Sequence, residues 1–224
     1  KACAAKGVKA AFVTSAGYGE AGEDGRAAER DLVELAHDVG MLLVGPNGQG
    51  VVSTPASLCA QIVAPYPPSG GIAIVSQSGN FVSSFQNYAV QTSIRVSRAV
   101  SAGNAAAVTV PDFLEYFADD EATTVALAYV EGVTDGRGFF ERIRGVASRK
   151  PLVLLKGGVT AGGQRAAASH TGALASDERI FDGMCHQAGA TRPTTVEEAF
   201  EAAATFATQP LPRGPRVAVL TTAG

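Results

Sequence analysis

The chain has 224 residues, of which 46% are hydrophobic and 17% charged, and its formal net charge is -3 at pH 7. This length allows one large domain or two smaller ones, and the slight negative charge excludes the basic surface expected of a nucleic-acid-binding protein. No apolar run approaches the roughly 20 residues that a membrane-spanning helix needs. Three widely spaced cysteines form neither a disulfide framework nor a zinc-ligand spacing, so we expect free thiols in a reducing cytoplasm and no metal site.

The first part of the chain predicts a strand, a helix and a second strand. Apolar runs at 10–14 and 41–44 are typical of buried strands, and the helical spacing of apolar residues at 26–39 indicates a helix between them. A glycine-rich turn, Gly-Pro-Asn-Gly-Gln-Gly, follows at 45–50. An irregular, proline-rich stretch comes next and ends at 69–71, which marks a domain boundary.

The middle of the chain, residues 69–208, alternates between buried strands and helices. The predicted strands cover 72–75, 95–100, 124–130, 152–155 and a short run near Ala190. The predicted helices cover 81–90, 112–117, 138–147, 178–187 and 196–207. This alternation predicts an α/β fold with a doubly wound parallel sheet. After a second proline-rich linker, the apolar run at 216–220 predicts one more buried strand.

Polar turns at the carboxyl ends of parallel strands are candidate ligand sites, because ligands of open parallel sheets bind outside these ends. Segment 76–80, Ser-Gln-Ser-Gly-Asn, connects a strand to a helix. Gly79 permits a tight turn, the helix N-terminus offers free N–H groups, and Ser78 adds a hydroxyl, which together suit a phosphate. The alternative is an ordinary serine N-cap.

Glu131 and His170 are the candidate catalytic residues. Glu131 ends a buried strand, where its carboxylate can accept a hydrogen bond from one imidazole nitrogen and leave the other nitrogen free to attack. His170 lies among glycines, alanines and small polar residues, which make a poor core site, and a neutral imidazole is a competent nucleophile for phosphoryl or acyl groups. The alternatives are a solvated strand-end acid and a structural histidine.

Taken together, these segments resemble the NDP-forming (ADP-forming) acyl-CoA synthetases, relatives of the succinyl-CoA synthetase α-subunit. The matching pieces occur in the family's order: Ser-Ala-Gly-Tyr-Gly-Glu at 15–20, Gly-Pro-Asn at 45–47, Ser-Gln-Ser-Gly at 76–79, Ser-Ala-Gly-Asn at 101–104, Tyr-Val-Glu at 129–131, Lys-Gly-Gly at 156–158 and Ser-His-Thr-Gly-Ala-Leu at 169–174. One departure is Gly48, where the family commonly has a cysteine, and Gln49 beside it is also unusual.

The resemblance implies portions of three domains. Residues 1–64 are expected to be the C-terminal part of a Rossmann-like CoA-binding domain. Residues 69–208 are expected to form a flavodoxin-like ligase domain that carries the phosphohistidine loop, and 216–224 the first strand of a further flavodoxin-like domain. The resemblance also implies that five residues contact CoA or substrate: Gly45, Pro46, Asn47, Gly103 and Asn104.

The implied activity is an acid–thiol ligase that works through a phosphohistidine. Acyl-CoA and phosphate give an acyl phosphate and CoA, and His170 then takes the phosphoryl group while Glu131 orients the ring and Ser78 and Gly79 hold phosphate. The loop carries the group to a second site, where ADP becomes ATP. We expect CoA, phosphate and a small carboxylic acid as ligands, ATP or ADP with Mg²⁺ bound mainly by an ATP-grasp domain or subunit absent from this chain, and an oligomer.

Two alternatives to the enzyme stay open. The chain could be a CoA- or acyl-CoA-sensing regulatory region of a protein lysine acyltransferase that has lost ligase activity. It could also be a structural α/β module, which leaves the histidine segment without a purpose. The presence of His170 together with Glu131 favours the enzyme, because a sensor needs no phosphoryl acceptor.

Overall fold

The first part of the chain forms a small α/β unit in the computed structural model, which describes residues 1–62, 65–158 and 178–222. Its elements are α1 (Ala2–Ala5), β1 (Ala10–Phe12), a 3-10 helix at Gly19–Ala21, α2 (Glu23–Asp38) and β2 (Leu42–Val44). The two strands pair in parallel, with Ala11 beside Leu43. The acidic side chains of Glu23 and Asp24 lie in the first turn of α2, where they favour a helix N-terminus. The predicted order of strand, helix and strand is confirmed.

A six-stranded mixed sheet dominates the rest of the fold, in the order β4-β3-β6-β5-β7-β8. Its strands are β3 (Gly50–Ser53), β4 (Leu58–Gln61), β5 (Ser69–Ser76), β6 (Val96–Ser101), β7 (Val125–Val130) and β8 (Leu152–Lys156). The four strands from β5 to β8 are parallel to one another. Apart from the first three residues of β5, nearly all of their residues are buried, as expected of a sheet that is covered on both faces. The predicted parallel sheet is therefore confirmed for these strands.

Helices cover both faces of the sheet. They are α3 (Gly79–Thr92), α4 (Val110–Asp119), α5 (Gly136–Ala147), α6 (Glu178–Ala188) and α7 (Val196–Thr208). α4, α5 and α6 pack on one face through Leu114, Ile143 and Phe181, and α3 and α7 pack on the other through Phe85 and Phe200. This is the predicted doubly wound, flavodoxin-like arrangement. Because the helix after β5 lies on the opposite face from those after β6 and β7, a ligand crevice is expected at the carboxyl end of β5.

Two antiparallel strands, β3 and β4, lie in the stretch for which the sequence predicts no strand. β3 pairs with β4 and with β6, where Val52 lies beside Ala99. These strands are short and their partner in the central sheet is distant along the chain, so local apolar patterning does not reveal them. The division of the chain into domains at 64–69 stays a prediction. The pairing of β3 with β6 connects residues before this boundary to residues after it.

Two other predicted strands are absent or reduced. The run near Ala190 contributes only one bridge, between Val153 and Thr191. Residues 216–220 lie in no strand, and their apolar side chains, such as Leu220, are exposed. A strand needs a neighbour for its backbone hydrogen bonds, and no strand in the described ranges pairs with this run. Its assignment to a further domain stays a prediction. None of the helices in those ranges combines the length and apolarity that a bilayer crossing requires.

Candidate active site

The turn between β5 and α3 offers helix N–H groups at the carboxyl edge of the sheet. The Ser76 Oγ accepts a hydrogen bond from Ser78 N at 2.9 Å and donates one to Ser78 O at 2.8 Å, which holds the turn in place. Ser78 is the N-cap residue of α3, yet its side chain makes no capping hydrogen bond. The ordinary serine cap, the alternative left open by the sequence, is therefore not formed, and the first N–H groups of α3 have no side-chain cap.

Gln77 connects this turn to the end of β7. Its side-chain Oε1 accepts hydrogen bonds from Glu131 N at 2.7 Å and from Gly132 N at 3.3 Å. The structure thereby brings the turn predicted to hold phosphate next to the backbone of Glu131, the predicted catalytic acid, across two adjacent parallel strands. The sequence did not single out Gln77, although its place between Ser76 and Ser78 in a strand-end turn was an available signal.

Tyr129, two residues before Glu131, also faces this edge. Its ring stacks on Phe81 in the first turn of α3, with centroids 4.7 Å apart and an interplanar angle of 28°. A Cβ added at Gly157 would lie 2.4 Å from the Tyr129 hydroxyl, so the glycine after β8 leaves the space that this phenol occupies. Burial raises the pKa of the Tyr129 hydroxyl, and the nearby Glu131 charge raises it further.

The five residues predicted to contact CoA or substrate lie together between the two sheets. Asn104 N donates to Pro46 O at 2.9 Å, and Asn47 Nδ2 donates to Asn104 Oδ1 at 3.3 Å. Gly103 has a φ of +58°, and a Cβ there would lie 2.2 Å from Pro46 O. Gly45 has a φ of +95°. Both glycines are thus required by backbone conformation and by close backbone approach, Gly103 to the turn at 45–47 and Gly45 to Val13 O.

Asn104 also binds two carboxylates of the first part of the chain. Its Nδ2 donates to Glu20 Oε2 at 2.6 Å and to Glu29 Oε2 at 2.7 Å. Burial raises the pKa of Glu20, but hydrogen bonds from Asn104, Gly17 and Tyr18 outweigh this and hold the pKa below its usual range. The Asn104 amide therefore links the Glu20 turn to the end of β6. Sequence reasoning missed the two glutamates, because their partner is remote along the chain.

The Gly48–Gln49 departure from the family pattern is accommodated by local packing. A Cβ at Gly48 would lie 2.5 Å from Ser101 O and 2.7 Å from the Phe12 ring, so this backbone leaves no room for a cysteine. The Gln49 side chain lies against Gly79, where an added Cβ would meet its Cδ at 2.2 Å. Gln49 therefore belongs to the wall of the phosphate turn.

A cavity of about 270 Å³ opens beside Gln77 and Asn104, between the β6–α4 and β7–α5 connections. Its lining is mainly apolar or uncharged, with Val110, Val133 and Phe139 among the residues. The lining cation, Arg142, pairs with Asp112 and Glu115, each at 2.6 Å, and hydrogen bonds from its guanidinium to these carboxylates raise its pKa. The cavity thus suits a small group without a second negative charge.

The third predicted element, His170, lies outside the described residues, as does the whole of 159–177. Gly157, which follows β8, lies next to the candidate site, since Gly157 N donates to Val130 O at 2.9 Å. Lys156, the last residue of β8, is only 4% exposed. Within the described ranges, no group of three or more His, Cys, Asp or Glu side chains is placed to hold a metal ion.

The structure defines a doubly wound α/β protein in which the N-terminus of α3, without a side-chain cap, and the backbone of Glu131 lie at one sheet edge. Residues 69–206 match the family described as the succinyl-CoA ligase like flavodoxin domain. The chain therefore belongs to the NDP-forming acyl-CoA synthetase family that carries this domain.

Relatives of the whole chain carry ligase names. The α-subunit of ADP-forming acetate–CoA ligase II from Pyrococcus furiosus is 40% identical over 99% of this chain and 48% of its own length. ADP-forming acetate–CoA ligase I from Archaeoglobus fulgidus is 42% identical over 89% of this chain and 29% of its own length. This chain therefore spans half or less of the length of these relatives.

A solved structure shares the fold and much of the sequence. Dinucleotide forming acetyl-coenzyme A synthetase 1 of Ca. Korarchaeum cryptofilum, in complex with phosphate and ADP, superposes with a TM-score of 0.87 at 38% identity. The match covers 95% of this chain and 46% of that one. These relatives are ligases and synthetases, so they lend no support to the alternative of an acyltransferase sensor.

Proposed function

We propose that the protein containing this chain is an ADP-forming acyl-CoA synthetase that interconverts acyl-CoA, ADP and phosphate with carboxylic acid, CoA and ATP. One observation carries the proposal. The uncapped N-terminus of α3 and the Glu131 segment lie side by side, joined by the Gln77 Oε1 that accepts from Glu131 N at 2.7 Å. Phosphoryl transfer through a histidine needs an anion cradle and an orienting carboxylate next to each other. The named relatives are ADP-forming acetate–CoA ligases, which supports the reaction proposed.

His170 is the phosphoryl acceptor in this proposal. Its attack on an acyl phosphate forms an N–P bond and breaks the acyl O–P bond, which releases the carboxylate. Glu131 accepts a hydrogen bond from the other ring nitrogen, which fixes the tautomer. The backbone N–H groups of α3, with Ser78 and Gly79, hold the phosphate.

CoA binds at the junction of the two sheets in this proposal. The turn at 45–47 and the turn after β6, with Gly103 and Asn104, meet there, where Asn104 N donates to Pro46 O at 2.9 Å. The pocket beside Gln77 and Asn104 has no unpaired cation among its lining residues, which suits a monocarboxylic acyl group near the thioester.

The second half of the reaction takes place at a nucleotide site that lies outside this chain in this proposal. An ATP-grasp domain or subunit binds ADP or ATP with Mg²⁺ and exchanges a phosphoryl group with His170. The Pyrococcus relative is an α-subunit, and the Korarchaeum relative binds phosphate and ADP, which supports such a division of labour. A cytoplasmic oligomer fits these expectations.

Phosphorylation of His170 is the decisive experiment. The complete protein, given ³²P-labelled ATP and Mg²⁺, is expected to acquire an acid-labile, base-stable phosphate. Addition of CoA without a carboxylic acid should not remove this label. His170→Ala should abolish the label, whereas His186→Ala, an exposed histidine of α6, should retain it. Equal labelling of the His170→Ala variant would rule out this residue as the acceptor.

The role of Glu131 is tested by the isosteric change Glu131→Gln. Turnover, measured as thiol release from acetyl-CoA with phosphate and ADP, should fall by about 10- to 100-fold, because the ring loses a charge-assisted hydrogen bond worth about 1.5–3 kcal/mol. Glu201→Gln on the exposed side of α7 is the matched control. Unchanged turnover in Glu131→Gln would mean that this acid faces solvent without a catalytic role.

A further inference from the structure

Tyr129 is a half-buried tyrosine at the carboxyl edge of the sheet, and the proposed mechanism gives it no role. It is the penultimate residue of β7 and lies beside Ser76 of β5 in the parallel register. Its side chain belongs to the sheet face that carries α3, the helix whose N-terminus forms the phosphate turn. The ring is held flat against Phe81 at 4.7 Å, so its position is set by packing.

The Tyr129 hydroxyl lies next to Gly157, the residue that follows β8. An added Cβ at Gly157 would lie 2.4 Å from the hydroxyl oxygen and 2.8 Å from the ring carbon that bears it. The glycine is thus what allows the phenol to reach this edge. The ring stacks on Phe81 in the first turn of α3, and the Glu131 charge acts on the phenol, so the phenol, the start of α3 and the Glu131 segment share one end of the sheet.

No hydrogen bond joins the Tyr129 hydroxyl to another group within the described ranges, although the ring around it is half-buried. Buried and half-buried hydroxyls normally have a partner. Other hydroxyls along the same sheet follow this rule: Ser97 Oγ and Thr123 Oγ1 lie 2.8 Å apart, and Ser101 Oγ accepts from Gln49 N. A phenol that is held by packing, and whose O–H meets no acceptor among the described residues, is available to donate to a ligand.

We infer that the Tyr129 hydroxyl donates a hydrogen bond to the phosphoryl group while that group passes between the acyl phosphate and the histidine nitrogen; this inference rests on the proposed function. The acyl O–P bond breaks, the N–P bond forms and the carboxylate leaves. The phenol keeps its proton throughout and acts only as a donor to the equatorial oxygens, where negative charge is concentrated. A phenol is protonated at neutral pH, and burial and the Glu131 charge raise its pKa further.

This assignment predicts that the two half-reactions respond differently to loss of the hydroxyl. Tyr129→Phe keeps the ring that stacks on Phe81 and removes one O–H. Labelling of the complete protein from acetyl-CoA and ³²P-phosphate uses the sheet edge of this chain, so its rate should fall by about 10- to 100-fold, as for loss of one hydrogen bond to a charged group. Labelling from ³²P-ATP and Mg²⁺ uses the nucleotide site. Its rate should stay within about twofold, because the Tyr129 hydroxyl does not bind the phosphoryl group in that transfer.

The matched control is Tyr88→Phe. Tyr88 is another half-buried tyrosine of the same face, and its ring lies 5.2 Å from Phe200, away from the phosphate turn. Both half-reactions should be unchanged in this variant, and both variants should keep the melting temperature of the unmodified protein.

Three results would overturn the inference, and each is distinct. If Tyr129→Phe labels from acetyl-CoA and phosphate at the unmodified rate, the hydroxyl does not contact the phosphoryl group. If both half-reactions of Tyr129→Phe slow equally, the residue only shapes the protein. If the unmodified protein acquires no acid-labile phosphate from either donor, the proposed function itself fails and the inference fails with it.

Discussion

The two ends of the parallel strands differ in how their polar groups are satisfied. At the amino ends of β6 and β7, Arg98 pairs with Asp120 at 3.2 Å, and both side chains are at most 14% exposed. Asp120 also accepts from Thr123 Oγ1 at 2.7 Å, and Lys150 Nζ donates to Phe117 O at 2.9 Å. At the carboxyl ends, where ligands of such sheets bind, the described part of the chain has closely packed glycines, a helix N-terminus without a side-chain cap and a phenol without a hydrogen-bond partner. At the amino ends the polar groups bind one another and stabilise the fold. At the carboxyl ends hydrogen-bond donors are available to a ligand.

The largest effect should come from breaking the amino-end network. Asp120→Ala leaves the mostly buried Arg98 guanidinium without its carboxylate and removes one of the hydrogen-bond partners of Thr123, so the free energy of unfolding should fall by about 3 kcal/mol. Asp119→Ala is the control, because Asp119 is 74% exposed and pairs with Arg149 at the surface. Its loss should stay below about 1 kcal/mol. Urea denaturation followed by circular dichroism measures both, and equal losses would contradict the contrast.

A smaller but still clear loss is expected where the backbone of the carboxyl end is tightly packed. Gly103→Ala places a Cβ 2.2 Å from Pro46 O at a φ of +58°, so unfolding should become easier by about 2 kcal/mol. Gly145→Ala should instead stabilise by up to about 1 kcal/mol, because Gly145 is an exposed position of α5 with open space around it. Opposite shifts of the melting temperature are the expected result. A neutral Gly103→Ala would show that the turns can separate.

The smallest change in stability is expected at the phosphate turn itself. Ser78→Ala should alter the free energy of unfolding by less than about 0.5 kcal/mol, since its side chain does not cap α3. Thr195→Ala should lose about 1 kcal/mol, because Thr195 Oγ1 accepts from Glu198 N at 3.1 Å and caps α7. Chemical denaturation of the two variants tests this difference. A loss in Ser78→Ala as large as in Thr195→Ala would mean that Ser78 stabilises the helix rather than serving a ligand.

Much of the fold could be predicted because the parallel strands leave a strong local signal. β8 consists entirely of buried residues, and the helices that alternate with such strands carry their own apolar spacing, so the strands and helices of the doubly wound part follow from short windows of sequence. β3 and β4 could not be predicted in this way, since β3 is defined by its pairing with β6. The apolar run at 216–220 has the same local signal as a buried strand, but no strand in the described ranges lies beside it.

The candidate site was predictable to the extent that it depends on strand ends. Ser78, Gly79 and Glu131 were found because each follows a buried strand, and the structure brings them to one edge. The connecting role of Gln77 and the position of Tyr129 depend on partners in other strands. Tyr129 could have been found from strand alternation, which sets it on the opposite face from Val130 and on the same side as α3. The position of His170 lies outside the described residues.

The hydrogen bonding of β3 to β6 affects how this region can be isolated for biophysical work. The family match begins at residue 69, and a polypeptide cut there would lack the hairpin that covers one side of β6. The uncovered strand would present unpaired N–H and C=O groups, which recruit neighbouring chains and promote aggregation. Shortened versions for crystallisation should therefore begin before Gly50, so that they include β3 and β4 as the edge of the sheet next to β6.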